Sequence, residues 1–331
     1  MGRSYLVTGG AGFIGSHLVD ALLRRGDYVV VLDTLATGRL ANLDQAGQSP
    51  NFRFVQGSVL DKLVVDDLMN ECDTVVHMAS PVGSKLIVEH PLDSFRTNIR
   101  GSQIVIEAAQ RHRRKLLLAS TSEIYGKNSA VPLSENSDRV LGPPRNPRWA
   151  SSNANAVAEV LAYAYHIERN LSVTVVRLFN TVGSRQSPVY GMVVPQLLRQ
   201  ALSGKPLTVY GDGQQTRCFC HVADVVSGIL GLLDHRGAQG EVFNLGSPEE
   251  ISMLSLAQRI VEVTQTSSSI EFVPYEQAYG SLFEDVPRRV PDIGKIQALT
   301  GWWPARSLDD ILTETLAEAR AQDVTVALPL S

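Results

Sequence analysis

Short apolar runs alternate with amphipathic stretches through the first half of the chain. SYLVT (4–8), YVVVLD (28–33), FRFVQG (52–57), TVVHMA (74–79), KLLLAST (115–121) and VTVVRL (173–178) are each about one strand long, and Val and Leu are their commonest residues. Runs of this kind suit strands buried on both faces. Between them, GSHLVDALLRRG (15–26) and TNIRGSQIVIEAAQRHRR (97–114) repeat apolar residues at helical spacing. The alternation predicts a parallel, doubly wound α/β sheet with helices on both faces. Beyond about residue 180, Gly and Pro break the pattern. HVADVVSGILGLL (221–233) predicts a further helix, and EVFNLG (241–246) a strand that rejoins the first sheet. From about Ile251 the chain mixes helices with loops, without repeats or low-complexity segments. The expected division is a sheet domain over 1–180 and 215–250, a smaller C-terminal substrate domain over 181–214 and 251–320, and a tail at 321–331.

Between the first strand and first helix, VTGGAGFIGSHL places Gly9, Gly12 and Gly15. A tight turn, close backbone approach to a diphosphate and close helix–strand packing each favour a residue without Cβ. The helix that opens at Phe13 and Ile14 offers unpaired N–H groups to phosphate. Asp33 ends the second strand, where a carboxylate accepts from both ribose hydroxyls and repels a 2′-phosphate. A Rossmann-type fold that binds NAD rather than NADP is expected.

Composition narrows the remaining choices. The 331 residues are 44% hydrophobic and 19% charged with a net charge of −4, which suits a globular protein and gives no broad attraction to nucleic acid. No apolar run is long enough to span a membrane. Cys72, Cys218 and Cys220 have no metal-ligand spacing, so no metal is expected and a reducing compartment fits. SYLVTGG starts almost at the first residue and leaves no room for a signal peptide, so a cytoplasmic location is expected.

The Gly-x-x-Gly-x-x-Gly spacing, with TGGAGFIG in full, resembles the extended short-chain dehydrogenase/reductase family over nearly the whole chain. HMASPVG (77–83), with Ala79, is similar to the family's loop under the cofactor. Asn98 resembles the asparagine that braces the sheet beside the cofactor. RLFNTVGSRQ (177–186) and LTVYGDGQQTRCFCHVADVV (207–226) resemble the nucleotide-sugar epimerase, dehydratase and decarboxylase branch. The resemblance implies NAD and a UDP-sugar, either UDP-glucuronate or a UDP-hexose. It implies that Asn180 meets the substrate's phosphate or sugar, Tyr210 the base, Arg217 the diphosphate, and Arg289 a sugar carboxylate. Lys205 is either a substrate contact or a surface charge, and Arg288 a solvated neighbour. It also implies a homodimer paired through the helices around 91–112 and 149–169, although an apolar stripe alone more often marks a core face.

STSEIYG (120–126) places Thr121, Ser122 and Glu123 at the end of a strand that leads to the cofactor. Thr-Ser-Glu resembles UDP-glucuronate decarboxylases, in which oxidation at C4 turns a C6 carboxylate into a β-keto acid. Glu123 is a candidate acid or base, or a loop brace. The family's base is a tyrosine, assisted by a lysine four residues later. RWASSNANAVAE (148–159) resembles the flanks of that motif but carries Ser151 and Asn155 in those places. Serine is a far poorer base, and asparagine keeps hydrogen bonding toward the ribose without the positive charge. Tyr163 and Tyr165, further along the helix, read as packing residues, and His221 as structural. Three outcomes stay open: a disabled nucleotide-sugar enzyme (decarboxylase, C4 epimerase or 4,6-dehydratase), altered chemistry with Glu123, His221 or water as base, or a binding protein without turnover.

Overall fold

A computed structural model describes residues 2–80, 92, 95–187, 192–279 and 285–327. The apolar runs become strands β1 (Ser4–Thr8), β2 (Tyr28–Asp33), β3 (Phe52–Gln56), β4 (Thr74–His77), β5 (Lys115–Thr121) and β6 (Val173–Leu178). Short strands follow: β7 (Thr181–Val182), β8 (Leu207–Tyr210), β9 (Thr216–Cys218), β10 (Cys220–His221), β11 (Val242–Leu245), β12 (Glu250–Ser252) and β13 (Ile270–Val273). Seven strands form one sheet in the order β11-β6-β5-β4-β1-β2-β3, and every pairing within it is parallel. EVFNLG therefore rejoins the first sheet, beside β6. The order reverses between β1 and β4, and the crevice beyond the strands' C-terminal ends at such a point is where α/β sheets bind ligands.

The helices are α1 (Phe13–Arg24), α2 (Lys62–Asn70), α3 (Ser102–Arg111), α4 (Ala150–Arg169), α5 (Val193–Leu202), α6 (Val222–Asp234), α7 (Met253–Thr264), α8 (Tyr275–Tyr279), α9 (Gly294–Thr300) and α10 (Leu308–Ala327). A π-helical turn, Arg96–Gly101, leads into α3. Successive strand side chains point to opposite sheet faces. Tyr5, Val7, Val29 and Val31 join a core with α1, α6 and α9, while Leu6, Val30 and Leu32 join one with α2, α3 and α4. A third core, drawn from α5, β8, α7 and α10, holds the lobe that faces the crevice. No described helix is long and apolar enough to cross a membrane. Pro81–Gly83 of the cofactor-loop motif, Pro91 at the expected helix start and Leu328–Ser331 of the tail lie outside the described residues.

Helix α4 departs from expectation on its outer side. Ala154, Ala158 and Ala162 are buried, and small residues let the helix approach its neighbours closely. Val157, Val160, Tyr163 and Ile167 are 49%, 69%, 58% and 62% exposed. Tyr163 is thus not a packing residue within the chain, whereas Tyr165 does pack against the second core.

Candidate active site

The turn after β1 is built for close approach. Gly9 has φ +72°, and a Cβ there would lie 2.8 Å from the Ala79 backbone. A Cβ on Gly15 would lie 2.3 Å from the Gly9 carbonyl oxygen. Gly12 N-caps α1 without a side-chain cap, so the first-turn N–H groups face the crevice. Asp33 accepts from the Ala11 and Leu35 amides at 2.9 and 2.8 Å, which ties the glycine turn to the end of β2. Behind the turn His77 lies between the Thr8 and Ser102 hydroxyls at 2.7 and 3.0 Å, and burial pushes it down to about 4, so it is neutral. A glycine cradle, an open helix start and a strand-end carboxylate fit NAD: Phe13–Gly15 would hold the diphosphate and Asp33 the adenosine ribose. Gly15→Ala forces backbone apart at a cost of ~1–3 kcal/mol, so NAD affinity by calorimetry is expected to fall about tenfold or more.

A cavity of about 910 Å³ runs from this turn across the C-terminal ends of β5 and β6 to β8. It brings together Gly9, Gly12, Phe13, Ile14, Gly15, Asp33 and Ala79 with Thr121, Ser122, Glu123, Ser151, Asn155, Asn180, Tyr210, Arg217 and Arg289. Two expected site residues lie elsewhere. Asn98 is buried beneath the lining, where it accepts from the Ser80 hydroxyl at 2.8 Å; it braces the loop. Lys205 is exposed in the turn after α5 and does not line the cavity. His221 is also outside it: its Nδ1 accepts from the Ala223 amide at the start of α6, and its Nε2 faces Glu314 at 2.9 Å.

The cavity's charged centre is Glu123. Its Oε1 accepts from Arg289 at 2.5 Å and its Oε2 faces an Arg148 nitrogen at 2.8 Å. Burial favours the neutral acid, but Arg289 and then Arg148 outweigh it and hold the carboxyl at about 2. Glu123 is therefore an ionised carboxylate and no proton donor near neutrality. Arg289 is only 3% exposed, and its Nε and Nη2 have no hydrogen-bond partner among the described residues. Arg148 lies over the ring of the fully buried Trp149 at 5.8 Å. Since the folded Glu123 sits below its ordinary value of 4.5, the stability it contributes is complete above about pH 4.5 and is lost as pH falls toward 2. Urea unfolding from pH 6 to pH 3 is expected to show a steeper acid loss in the parent than in Glu123→Gln.

Ser151 and Asn155 occupy the first two turns of α4. The Asn155 amide donates to the Ser151 carbonyl at 2.9 Å and to its hydroxyl at 3.4 Å. A further turn along, Glu159 fixes the helix. It accepts from Ser120 on β5 at 2.5 Å and pairs with Arg177 on β6 at 2.7 Å. Arg177 also donates to the Tyr125 hydroxyl, which donates to Asn244 on β11. The register of α4 against the cavity is thus set by a buried network, while the two cavity-facing positions carry neither phenol nor ammonium.

At the far end, Asn180 donates to the Cys218 carbonyl at 3.0 Å. The Tyr210 and Tyr275 rings lie 6.3 Å apart. Arg217 donates to the Thr216 and Val286 carbonyls and to Asp285, each at 2.7 Å, and Tyr275 donates to the same Asp285 at 2.5 Å.

Residues 5–246 match the NAD dependent epimerase/dehydratase family. The chain belongs to that family. It is 38% identical over 317 residues to a UDP-N-acetyl-alpha-D-glucosaminuronate decarboxylase of Bacillus cytotoxicus, covering 96% of this chain and 97% of that one. It is 38% identical over 314 residues to UDP-glucuronic acid decarboxylase 1 of Danio rerio, covering 95% and 72%. Among solved structures it resembles a UDP-glucuronic acid 4-epimerase from Bacillus cereus in complex with UDP-glucuronic acid and NAD, at 29% identity and a TM-score of 0.87 over 96% of this chain and 99% of that one. As a member of this family the chain takes NAD as its cofactor.

For this epimerase/dehydratase chain, sequence reasoning missed three features. Arg148 was visible only as a flank of the 148–159 stretch, although it faces Glu123. Asp285 and Tyr275, which fix Arg217, come from a segment where Gly and Pro obscure any periodic signal. A charged residue three positions before the altered pair was the one available cue for Arg148.

Proposed function

We propose that the chain binds NAD and a UDP-linked uronic acid, and that its chemistry is most like UDP-glucuronate decarboxylation with a greatly weakened C4 oxidation. The single observation that carries this is Arg289: a buried guanidinium in the cavity whose Nε and Nη2 are unpartnered among the described residues. A carboxylate on the sugar would take those donors, and a planar fork suits it. Held at Phe13–Gly15 and Asp33, NAD would supply reversible hydride exchange with C4 of the sugar. The chain's own part is to bind and orient the sugar, hold its carboxylate at Arg289, and take the O4 proton. The last task falls to Ser151, a weak base without a lysine beside it. Loss of a general base costs ~10²–10⁴ in rate.

Incubation with NAD and UDP-glucuronate at high protein concentration, with binding measured in the same sample, tests this. Tight binding with very slow release of CO₂ and a UDP-pentose is expected. Failure to bind UDP-glucuronate would overturn it. A UDP-hexuronate epimerised at C4, with no CO₂, would favour the epimerase alternative. A second reading, a binding protein with no turnover, is favoured by the neutral Ser151–Asn155 pair; no product at any protein concentration would support it.

The exposed stripe of α4 supports a homodimer. Four large apolar side chains on one helix face fit a second copy of the same helix better than water. Val160→Glu with Ile167→Glu is expected to shift sedimentation from dimer to monomer while thermal unfolding stays cooperative.

A further inference from the structure

The two ends of the cavity differ in charge. At the sugar end one carboxylate, Glu123, faces two guanidiniums, Arg148 and Arg289, which leaves a net positive site. At the nucleotide end Arg217 pairs with Asp285, and that pair is neutral. Both members line the cavity with only 13% and 18% of their side chains exposed, so solvent screens them weakly. Asp285 is not needed to place Arg217. Strand β9 pairs with β12 and sets Arg217 opposite Ile251, and the Thr216 and Val286 carbonyls both accept from Arg217 Nη1. The bond from Nη2 to Asp285 takes a third of the five N–H donors that a guanidinium carries. Asp285 is itself fixed by the Tyr275 hydroxyl. Tyr275 packs against the turn at Gly211, where φ is +68° and a Cβ would lie 2.6 Å from the ring. A carboxylate is thus held at the place that the resemblance gives to the diphosphate. What it adds beyond position is a negative charge.

We propose that Asp285 is a specificity-determining residue: it makes the site select a diphosphate capped by a sugar over the free nucleoside diphosphate. The inference rests on the nucleotide-sugar reading above. Esterified at both ends, the diphosphate of a nucleotide sugar carries two negative charges. A free nucleoside diphosphate carries a third once its terminal phosphate sheds its last proton, near about pH 6. The remaining donors of Arg217 serve either ligand. A neutral ion pair, however, does not compensate the third charge, and Asp285 repels it. One extra charge about 5 Å from a carboxylate, at an effective dielectric between that of a protein surface and that of water, is worth roughly tenfold in affinity. Such selection matters at this site because transfer of the sugar from a nucleotide donor releases the nucleoside diphosphate, which would otherwise occupy the same subsite.

Calorimetry at about pH 8, above that last ionisation, with UDP, its β-methyl ester and UDP-glucose tests this. UDP and the ester differ by one charge and neither carries a sugar. The parent is expected to prefer the ester over UDP by roughly tenfold. Asp285→Asn is expected to bring the two within about twofold of each other, chiefly by binding UDP more tightly. Asp285→Glu, which keeps the charge, should retain the preference, and so should Tyr275→Phe, which removes only a hydroxyl. NAD affinity, measured on every variant, reports an intact fold. Equal binding of UDP and the ester by the parent overturns the proposal. So does an ester preference that survives in Asp285→Asn, which would leave Asp285 a mere brace for Arg217. In either case UDP-glucose binding in the same samples leaves the nucleotide-sugar reading standing. A parent that binds NAD but none of the three uridine ligands brings down that reading, and this proposal with it.

Discussion

Ser151→Tyr combined with Asn155→Lys is expected to raise turnover of UDP-glucuronate in the presence of NAD by ~10²–10⁴, measured as CO₂ and UDP-pentose released. Both positions face the cavity and are only partly buried, so larger side chains enter open space rather than the helix–sheet contact. The register is already fixed by Glu159, Ser120 and Arg177. Tyrosine alone should give only part of the gain. Its free pKa is about 10, and an ammonium one turn away is what brings it toward neutrality. The two gains should therefore be non-additive, with lysine alone giving almost nothing. A restored pair that binds both ligands yet stays as slow as the parent would mean the cavity has drifted in more than its base.

The same pair marks how far the sequence carried. The doubly wound sheet, its glycine turn and the strand-end acid were legible because each follows from local rules: period, turn chemistry and the position of Asp33 after β2. Ser151 and Asn155 were legible as a departure because their flanks hold the register. What local rules do not reach is the partner of a charge. Glu123 and Arg289 are 166 positions apart, so the ion pair that makes Glu123 a fixed anion has no periodic signature. The resemblance makes Arg217 a diphosphate contact, and nothing local in the sequence points to Asp285, which pairs with it. The stripe Val157, Val160, Tyr163 and Ile167 has core-like spacing, and only the fold tells which side of α4 meets the sheet. That Lys205 does not line the cavity follows only from where the turn after α5 lies.

Arg289→Met is expected to weaken UDP-glucuronate binding by roughly 10- to 150-fold, the equivalent of ~1.5–3 kcal/mol for hydrogen bonds to a charged group. UDP-glucose affinity should move by less than about threefold, since that sugar offers no carboxylate. The difference between the two ligands is the informative quantity, because removing one member of a buried pair also strips Glu123 of a partner and destabilises the fold. Glu123→Gln,Arg289→Met removes both charges and provides the control. It should regain stability over Arg289→Met, as Glu123 no longer stands with Arg148 alone. It should also bind UDP-glucuronate better than Arg289→Met does, because a Glu123 carboxylate left with Arg148 alone repels the sugar's own. If Arg289→Met weakened both ligands equally, Arg289 would be a brace for Glu123 rather than a carboxylate receptor, and the uronate assignment would lose its main support.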